Sequence, residues 1–352
     1  MSFKDNIRKV TPYVAGEQPK VEGKIIKLNT NENPYPPAPG VRKLMDEMRL
    51  SDLRLYPNTF AEPLRTELAA RYGLKNENIF VGVGSDDVLA MAFLTFFAGE
   101  KPVLFPDITY SFYDVWAELF KIPYKTIPLN NEFRINLKDY TVPNGGIVIA
   151  NPNAPTGVYE PLSFIEEMLK NNPDSLVIVD EAYVDFGGES AVALLPKYEN
   201  LLVVQTFSKS RSMAGLRIGF AMGSIEAIKA MDAVKNSYNS YTMNYPSQVL
   251  GVEAVRDEAY FKETCEKIVA TRERSKKELA TLGFSFPDSK TNFIFATHKD
   301  MRAEDIAAVL RKNNIFVRHF SKPRIDNYLR ISIGTDEEMD SVFAVLKDLF
   351  HK

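Results

Sequence analysis

In TFSKSRSMAGLRIGF (206–220), one lysine stands among hydroxyls just after the apolar run 201–204. Lys209 is flanked by Thr206, Ser208, Ser210 and Ser212, and Arg217 follows eight positions later. A solvated lysine needs no such company, so the stretch reads as a holder of something. Four other places offer partners. GVGSDD (82–87) sets Ser85 and Asp86 after two glycines, at the start of a helical pattern. Such a turn offers a phosphate free N–H groups and a partial positive charge, although Ser and Asp are also ordinary helix caps. PDITYSFY brings Tyr110 to the end of an apolar run, where core packing is the plainer role. NPNAPTG (151–157) is a loop with two prolines and a glycine, either an ordinary turn or a stiff floor to a site. VDEAY (179–183) puts Asp180 directly behind Leu-Val-Ile-Val and Tyr183 three residues on. A carboxylate buried there needs a cation or donors, which loop N–H groups could also provide.

Taken together these are a lysine, an acid, two tyrosines, a hydroxyl–arginine cluster and a glycine-to-helix turn. No Ser/His/Asp set can be assembled from them. With one cysteine, Cys265, and three histidines, a His/Cys zinc site is not expected, and the metal expectation is none. The combination matches pyridoxal 5′-phosphate. Its aldehyde takes a lysine as a Schiff base, its ring nitrogen stays protonated beside a carboxylate, its phosphate needs N–H donors, hydroxyls and an arginine, and its ring needs an aromatic cover.

These residues must be gathered by a scaffold. Short apolar runs at 79–83, 103–105, 147–150, 176–179, 201–204 and 217–221 alternate with helical stretches at 86–97, 111–120, 161–170 and 225–236. Strands apolar on both faces and separated by helices predict an α/β fold, a mostly parallel sheet covered on both sides. Ligands in such sheets bind beyond the carboxyl ends of the strands, where every candidate above falls. Residues 1–40, with NTNENPYPPAPG, read as an irregular arm lying on the rest of the chain or on a partner. Residues 41–245 form the large domain. Residues 246–352 read as a smaller α+β domain: a long helical region (247–282), strands at 293–296, 315–320 and 328–333, and a last helix opened by Thr335-x-x-Glu338.

Composition is that of an ordinary soluble protein, 45% hydrophobic and 25% charged over 352 residues. A formal net charge of −3 gives no reason to expect nucleic acid or an anionic membrane. The longest apolar stretch, 88–98, is too short to span a bilayer. The charged start MSFKDNIRKV lacks an apolar h-region, and a single cysteine fits a reducing compartment, so a cytoplasmic protein is expected.

The chain resembles the fold-type I pyridoxal-phosphate aminotransferases, and more closely the histidinol-phosphate group among them. The likeness runs nearly end to end, through LNTNENPY (28–35), LYPN (55–58), GVGSDD, PNAPTG, VDEAY, TFSKSRSMAGLRIGF and LRISIGT (329–335). It implies Lys209 as the Schiff-base lysine, Asp180 at the ring nitrogen, Tyr183 at the 3-oxygen and Tyr110 stacked on the ring. It implies Ser85, Asp86, Thr206, Ser208 and Arg217 around the phosphate. Tyr56 would reach the phosphate of a neighbouring subunit, making a homodimer obligatory. Arg330 and Arg318 would bind substrate anions, with Tyr13 and Asn31 of the arm closing over the substrate or else packing in a dimer. The implied substrates are histidinol phosphate and glutamate or 2-oxoglutarate. An aromatic-amino-acid aminotransferase or a threonine-phosphate decarboxylase-like enzyme would share most of these residues. One position departs: where many relatives carry an asparagine before PTG, this chain has Ala154. Tyr183 then acts alone at the 3-oxygen, or Asn153 or Asn151 reaches in.

Overall fold

The computed structural model describes residues 2–14, 16–19 and 23–350. The arm contributes a short first strand, β1 (Ile26–Leu28). Seven strands then build one sheet: β2 (Ile79–Gly82), β3 (Val103–Pro106), β4 (Tyr124–Ile127), β5 (Gly146–Ala150), β6 (Val177–Asp180), β7 (Leu201–Thr206) and β8 (Gly219–Gly223). Their order is β2-β8-β7-β6-β5-β3-β4. The pairs among β3 to β7 are parallel, whereas β8 runs against both β2 and β7. Six of the seven, all but β4, are buried along their whole length, because helices cover both faces.

The second sheet has the order β1-β11-β12-β10-β9, using β9 (Phe284–Ser285), β10 (Phe293–His298), β11 (Ile315–His319) and β12 (Leu329–Ser332). Its core joins Phe293, Ile294, Leu329 and Ile331 to the helices Ala303–Lys312 and Asp336–Phe350. The predicted capping box is present: Glu338 N–H donates to Thr335 Oγ1 at 3.2 Å, and Thr335 N–H donates to the Glu338 carboxylate at 2.9 Å.

Three expectations change. The arm is not wholly irregular, since β1 pairs in parallel with β11, Leu28 opposite Val317. The long helical region is two helices, Tyr245–Arg256 and Glu258–Thr281, broken at Asp257, whose side chain caps the second by accepting from Tyr260 N–H. The strand expected at 217–221 starts at Gly219, and Arg217 lies before it in a left-handed turn at φ 53°. This frees Arg217 from the ladder and points its guanidinium back toward the start of the helix Ser85–Phe96.

Candidate active site

The carboxyl ends of β2, β6 and β7 meet at one edge, and β8, running the other way, begins there. A cavity of about 180 Å³ opens at this edge, lined by Ser85, Asp86, Tyr110, Asp180, Thr206, Ser208, Lys209 and Arg217, with Tyr183 and Ala154 on its wall. A second cavity of about 230 Å³ adjoins it, sharing Tyr110, Ala154, Tyr183 and Lys209 and adding Tyr13, Asn31, Arg318 and Arg330. A larger depression, about 810 Å³, lies around Ser175, Leu176 and Asn200, at the amino ends of β6 and β7, away from this chemistry.

Lys209 leaves a loop held from the arm, since Asn33 Nδ2 donates to its backbone carbonyl at 2.9 Å. Its ammonium donates to Thr30 O at 3.2 Å and lies 5.7 Å from the centre of the Tyr183 ring. Asp180 ends β6 with 5% of its surface exposed. Its two oxygens accept from the Tyr113 hydroxyl at 2.8 Å and from Ala182 N–H at 3.2 Å. Burial pushes its pKa up to about 6 against those two donors, with the nearby Asp86 adding to the rise and Lys209 opposing it. A carboxylate held so reluctantly favours a cation placed against it.

The phosphate-type corner is built from two tight approaches. Gly84 sits at φ 85°, and a Cβ there would collide with the Arg217 guanidinium. A Cβ on Gly219 would collide with the backbone of Gly84 and Ser85. Glycine at both positions lets β8 press Arg217 against a helix N-terminus whose first N–H groups have no partner within the helix. Arg217 reaches Asp86 at 3.2 Å and Ser208 Oγ at 3.4 Å, while Thr206 Oγ1 donates to Ser208 Oγ at 3.0 Å. The Tyr110 hydroxyl donates to Asp86 at 2.7 Å, and burial, then Asp86, raise its pKa.

Arg318 and Arg330 are cross-strand partners on β11 and β12, so both guanidiniums enter the second cavity from one sheet face. Arg330 Nη2 donates to Asn29 O at 2.9 Å, its Nε is buried without a partner, and its guanidinium lies over Phe293 and Phe320. Burial and the like charge of Arg318 lower its pKa, whereas the nearby Tyr183 opposes the shift. Tyr13 stacks on Phe112, ring centres 4.2 Å apart, at the mouth of this cavity.

Three residues named from the sequence lie elsewhere. Asn153 does not line either cavity: its amide donates to Ile108 O and Thr156 Oγ1 at 2.9 Å, and its carbonyl accepts from Thr109 Oγ1 at 2.8 Å. Asn151 is likewise consumed, exchanging bonds with the Glu160 backbone. Both asparagines shape the loop around Ala154, and neither supplies a donor to the cavity. Tyr56 is 82% exposed, packed on Tyr241 at 4.6 Å between ring centres, and is absent from both cavities of its own chain.

Sequence reasoning missed the groups behind the site. Tyr113, fully buried, holds Asp180, and only its place one helical turn from Tyr110 hinted at this. Glu181 turns away from the cavity to Ser190, Ala191 N–H and Gln205, and burial pushes its carboxyl up to about 7. Among the described residues no group of three or more His, Cys, Asp or Glu could hold a metal ion, and no helix is long and apolar enough to cross a membrane.

The donor set therefore fits a planar, phosphorylated aldehyde with a basic ring nitrogen: amine, acid, aromatic cover and phosphate corner line one small cavity. Comparison with known proteins points the same way. The chain is 51% identical to the histidinol-phosphate aminotransferase of Lactococcus lactis subsp. cremoris (strain SK11) over 348 residues, covering 99% of this chain and 98% of that one. It is also 51% identical to histidinol-phosphate aminotransferase 1 of Hydrogenovibrio crunogenus over 343 residues, 97% of this chain and 96% of that one. Its backbone follows the crystal structure of histidinol-phosphate aminotransferase from Sinorhizobium meliloti in complex with pyridoxal-5′-phosphate, with a TM-score of 0.83, 24% identity, and 93% and 92% of the two chains covered. The sequence model for aminotransferase class I and II matches residues 23–346, and the chain belongs to that family.

Proposed function

We propose that the protein transfers an amino group between L-histidinol phosphate and 2-oxoglutarate on pyridoxal 5′-phosphate, yielding imidazole-acetol phosphate and L-glutamate, a step of histidine biosynthesis. When bound, the cofactor supplies an electron sink for the bond broken at the substrate's amine-bearing carbon. Lys209 would hold its aldehyde carbon, Asp180 its ring nitrogen, Tyr183 its 3-oxygen, and Ser85, Asp86, Thr206, Ser208 and Arg217 its phosphate. Tyr110 would cover the ring. Lys209 Nζ, as a free amine, would take the proton from that carbon. Asp180 would keep the ring nitrogen protonated.

The observation that carries the substrate reading is the arginine pair. Histidinol phosphate offers a phosphate and no carboxylate, whereas glutamate offers two carboxylates. Arg318 and Arg330, side by side in one cavity against Tyr13 and the arm, can serve either anion through bidentate bonds. The half-identity to curated enzymes of this name over nearly the whole chain supports the same substrate.

The working unit is a homodimer. Leu50, Leu55, Tyr56 and Tyr238 are each more than half exposed, an apolar surface that a second copy would cover. Tyr56 on this surface would then reach the partner's phosphate corner. The setting is cytoplasmic, and no nucleic acid or membrane enters the reading.

The test is a half-reaction panel with histidinol phosphate, phenylalanine and O-phosphothreonine as amine donors. Transfer from histidinol phosphate to 2-oxoglutarate well above that from phenylalanine is expected. Faster reaction with phenylalanine, or carbon dioxide released from O-phosphothreonine, would replace this assignment.

A further inference from the structure

Ala154 leaves the wall beside Tyr183 without a donor, and the arm supplies an amide at the neighbouring place. Asn31 is 1% exposed, sits at φ 57°, and donates from Nδ2 to the Tyr183 phenol oxygen at 2.9 Å. The direction of that amide is set by its other end. Asn31 N–H donates to Ser332 Oγ at 2.9 Å, so the Ser332 proton goes to Asn31 Oδ1, also at 2.9 Å. The carbonyl end is thus committed to β12 and the NH₂ end faces Tyr183. Asn292 Nδ2 fixes the Asn31 backbone carbonyl at 3.0 Å.

A phenol has one proton to give. Because Asn31 donates to the Tyr183 oxygen, that proton is not spent on Asn31 and can point into the cavity shared with Lys209 and Ala154. Donation onto a hydroxyl oxygen also strengthens the bond that the hydroxyl gives. We infer that Asn31 is a positioning residue for the reaction: it aims the Tyr183 proton at the cofactor's 3-oxygen, taking over through Tyr183 the part of the amide missing at Ala154. This rests on the cofactor assignment above. Lys209, Asp180, Glu32, Tyr110, Arg318 and Arg330 share these cavities and are unchanged by the substitutions that test it.

The readout is the pH midpoint of the visible absorbance change of the cofactor-loaded enzyme. Asn31→Gly removes the amide yet accepts a positive φ, so the backbone bonds to Ser332 and Asn292 remain. A weaker donor leaves more negative charge on the 3-oxygen to hold the proton it shares with the lysine nitrogen. The midpoint should rise by about one pH unit, the size of one hydrogen bond. Asn31→Asp, which keeps the shape and draws the Tyr183 proton toward itself, should raise it too. Adding Ala154→Asn to Asn31→Gly should bring it back toward the wild-type value. A midpoint unmoved in both Asn31 variants, or a rise that Ala154→Asn leaves untouched, overturns the role of Asn31 while the cofactor assignment stands. A wild-type protein that never takes up the chromophore overturns both.

Discussion

Replacing Asp180 by asparagine should stabilise the cofactor-free protein while weakening its hold on the cofactor. The carboxyl has an ordinary value of 3.8 and is raised to about 6, chiefly by burial. The charged form is therefore disfavoured in the folded state. An acid raised in this way lowers stability progressively as pH climbs from the unfolded value to the folded one, and the full cost is present above the folded value. A rise of about two units corresponds to roughly 3 kcal/mol. Asparagine removes the charge and keeps the Tyr113 bond through its carbonyl, but its NH₂ then faces Ala182 N–H and loses that bond, about 1 kcal/mol. The expected gain above the folded pKa is about 2 kcal/mol; near the unfolded value, where the wild-type acid carries its proton, the charge contribution vanishes and only the lost Ala182 bond remains, so the variant should become the less stable by about 1 kcal/mol. Urea unfolding of both cofactor-free proteins across pH, with equal m-values, measures the difference. The cofactor dissociation constant of each protein measures the other half. A variant no more stable than wild type on the alkaline side, or one that binds cofactor equally well, would refute the view that Asp180 is a strained anion kept for a cation.

Lys209→Ala should abolish amino transfer, and borohydride should no longer fix the cofactor to the chain; a variant that still transaminates would remove the lysine from the mechanism. Arg330→Ala should slow the histidinol-phosphate and glutamate half-reactions alike, by at least the roughly thirtyfold that the lower end of a lost charged pair's 2–5 kcal/mol implies. An effect on glutamate alone would place the phosphate elsewhere. Mixing Lys209→Ala with Tyr56→Ala subunits should restore part of the activity, because a mixed dimer places both lesions in one site and leaves the other intact. Two inactive parents that stay inactive when mixed would sink the shared site.

The strand-end residues were readable because two regularities act together: runs apolar on both faces must be central strands, and polar groups just past their ends must face one edge. Lys209 and Asp180 follow from that without any contact being known, whereas Arg217 precedes a strand and reaches this edge because β8 runs antiparallel to its neighbours. The same reasoning has nothing to grip where a strand lacks an apolar run. β4 is exposed at three of its four residues, as an edge strand can be, and β1 has only three residues inside a polar arm. Tyr113 failed for a different reason. It sits among Phe112 and Trp116 in an aromatic helix, and nothing in a pattern of rings tells a phenol that holds a carboxylate from a phenyl group that fills space.

The loop around Ala154 shows how nearness in sequence misleads. Asn151 and Asn153 flank the missing donor, yet a turn this tight consumes its own amides, and the bonds to Glu160, Ile108 and Thr156 leave none to spare. The amide that does reach Tyr183 is 152 residues away in sequence. β1 explains how it arrives. Pairing ends with Leu28 opposite Val317, next to the register where Arg318 faces Arg330, so the residues after Leu28 run directly over the arginine pair. Asn29 O then accepts from Arg330, Thr30 O from Lys209, and Asn31 turns its amide to Tyr183. Three consecutive residues thus tie together β12, the lysine loop and the tyrosine. A parallel pairing across nearly 290 residues leaves no local trace, so Asn31 could be expected near the substrate, but neither β1 nor the bond from Asn31 to Tyr183 could be read before the fold.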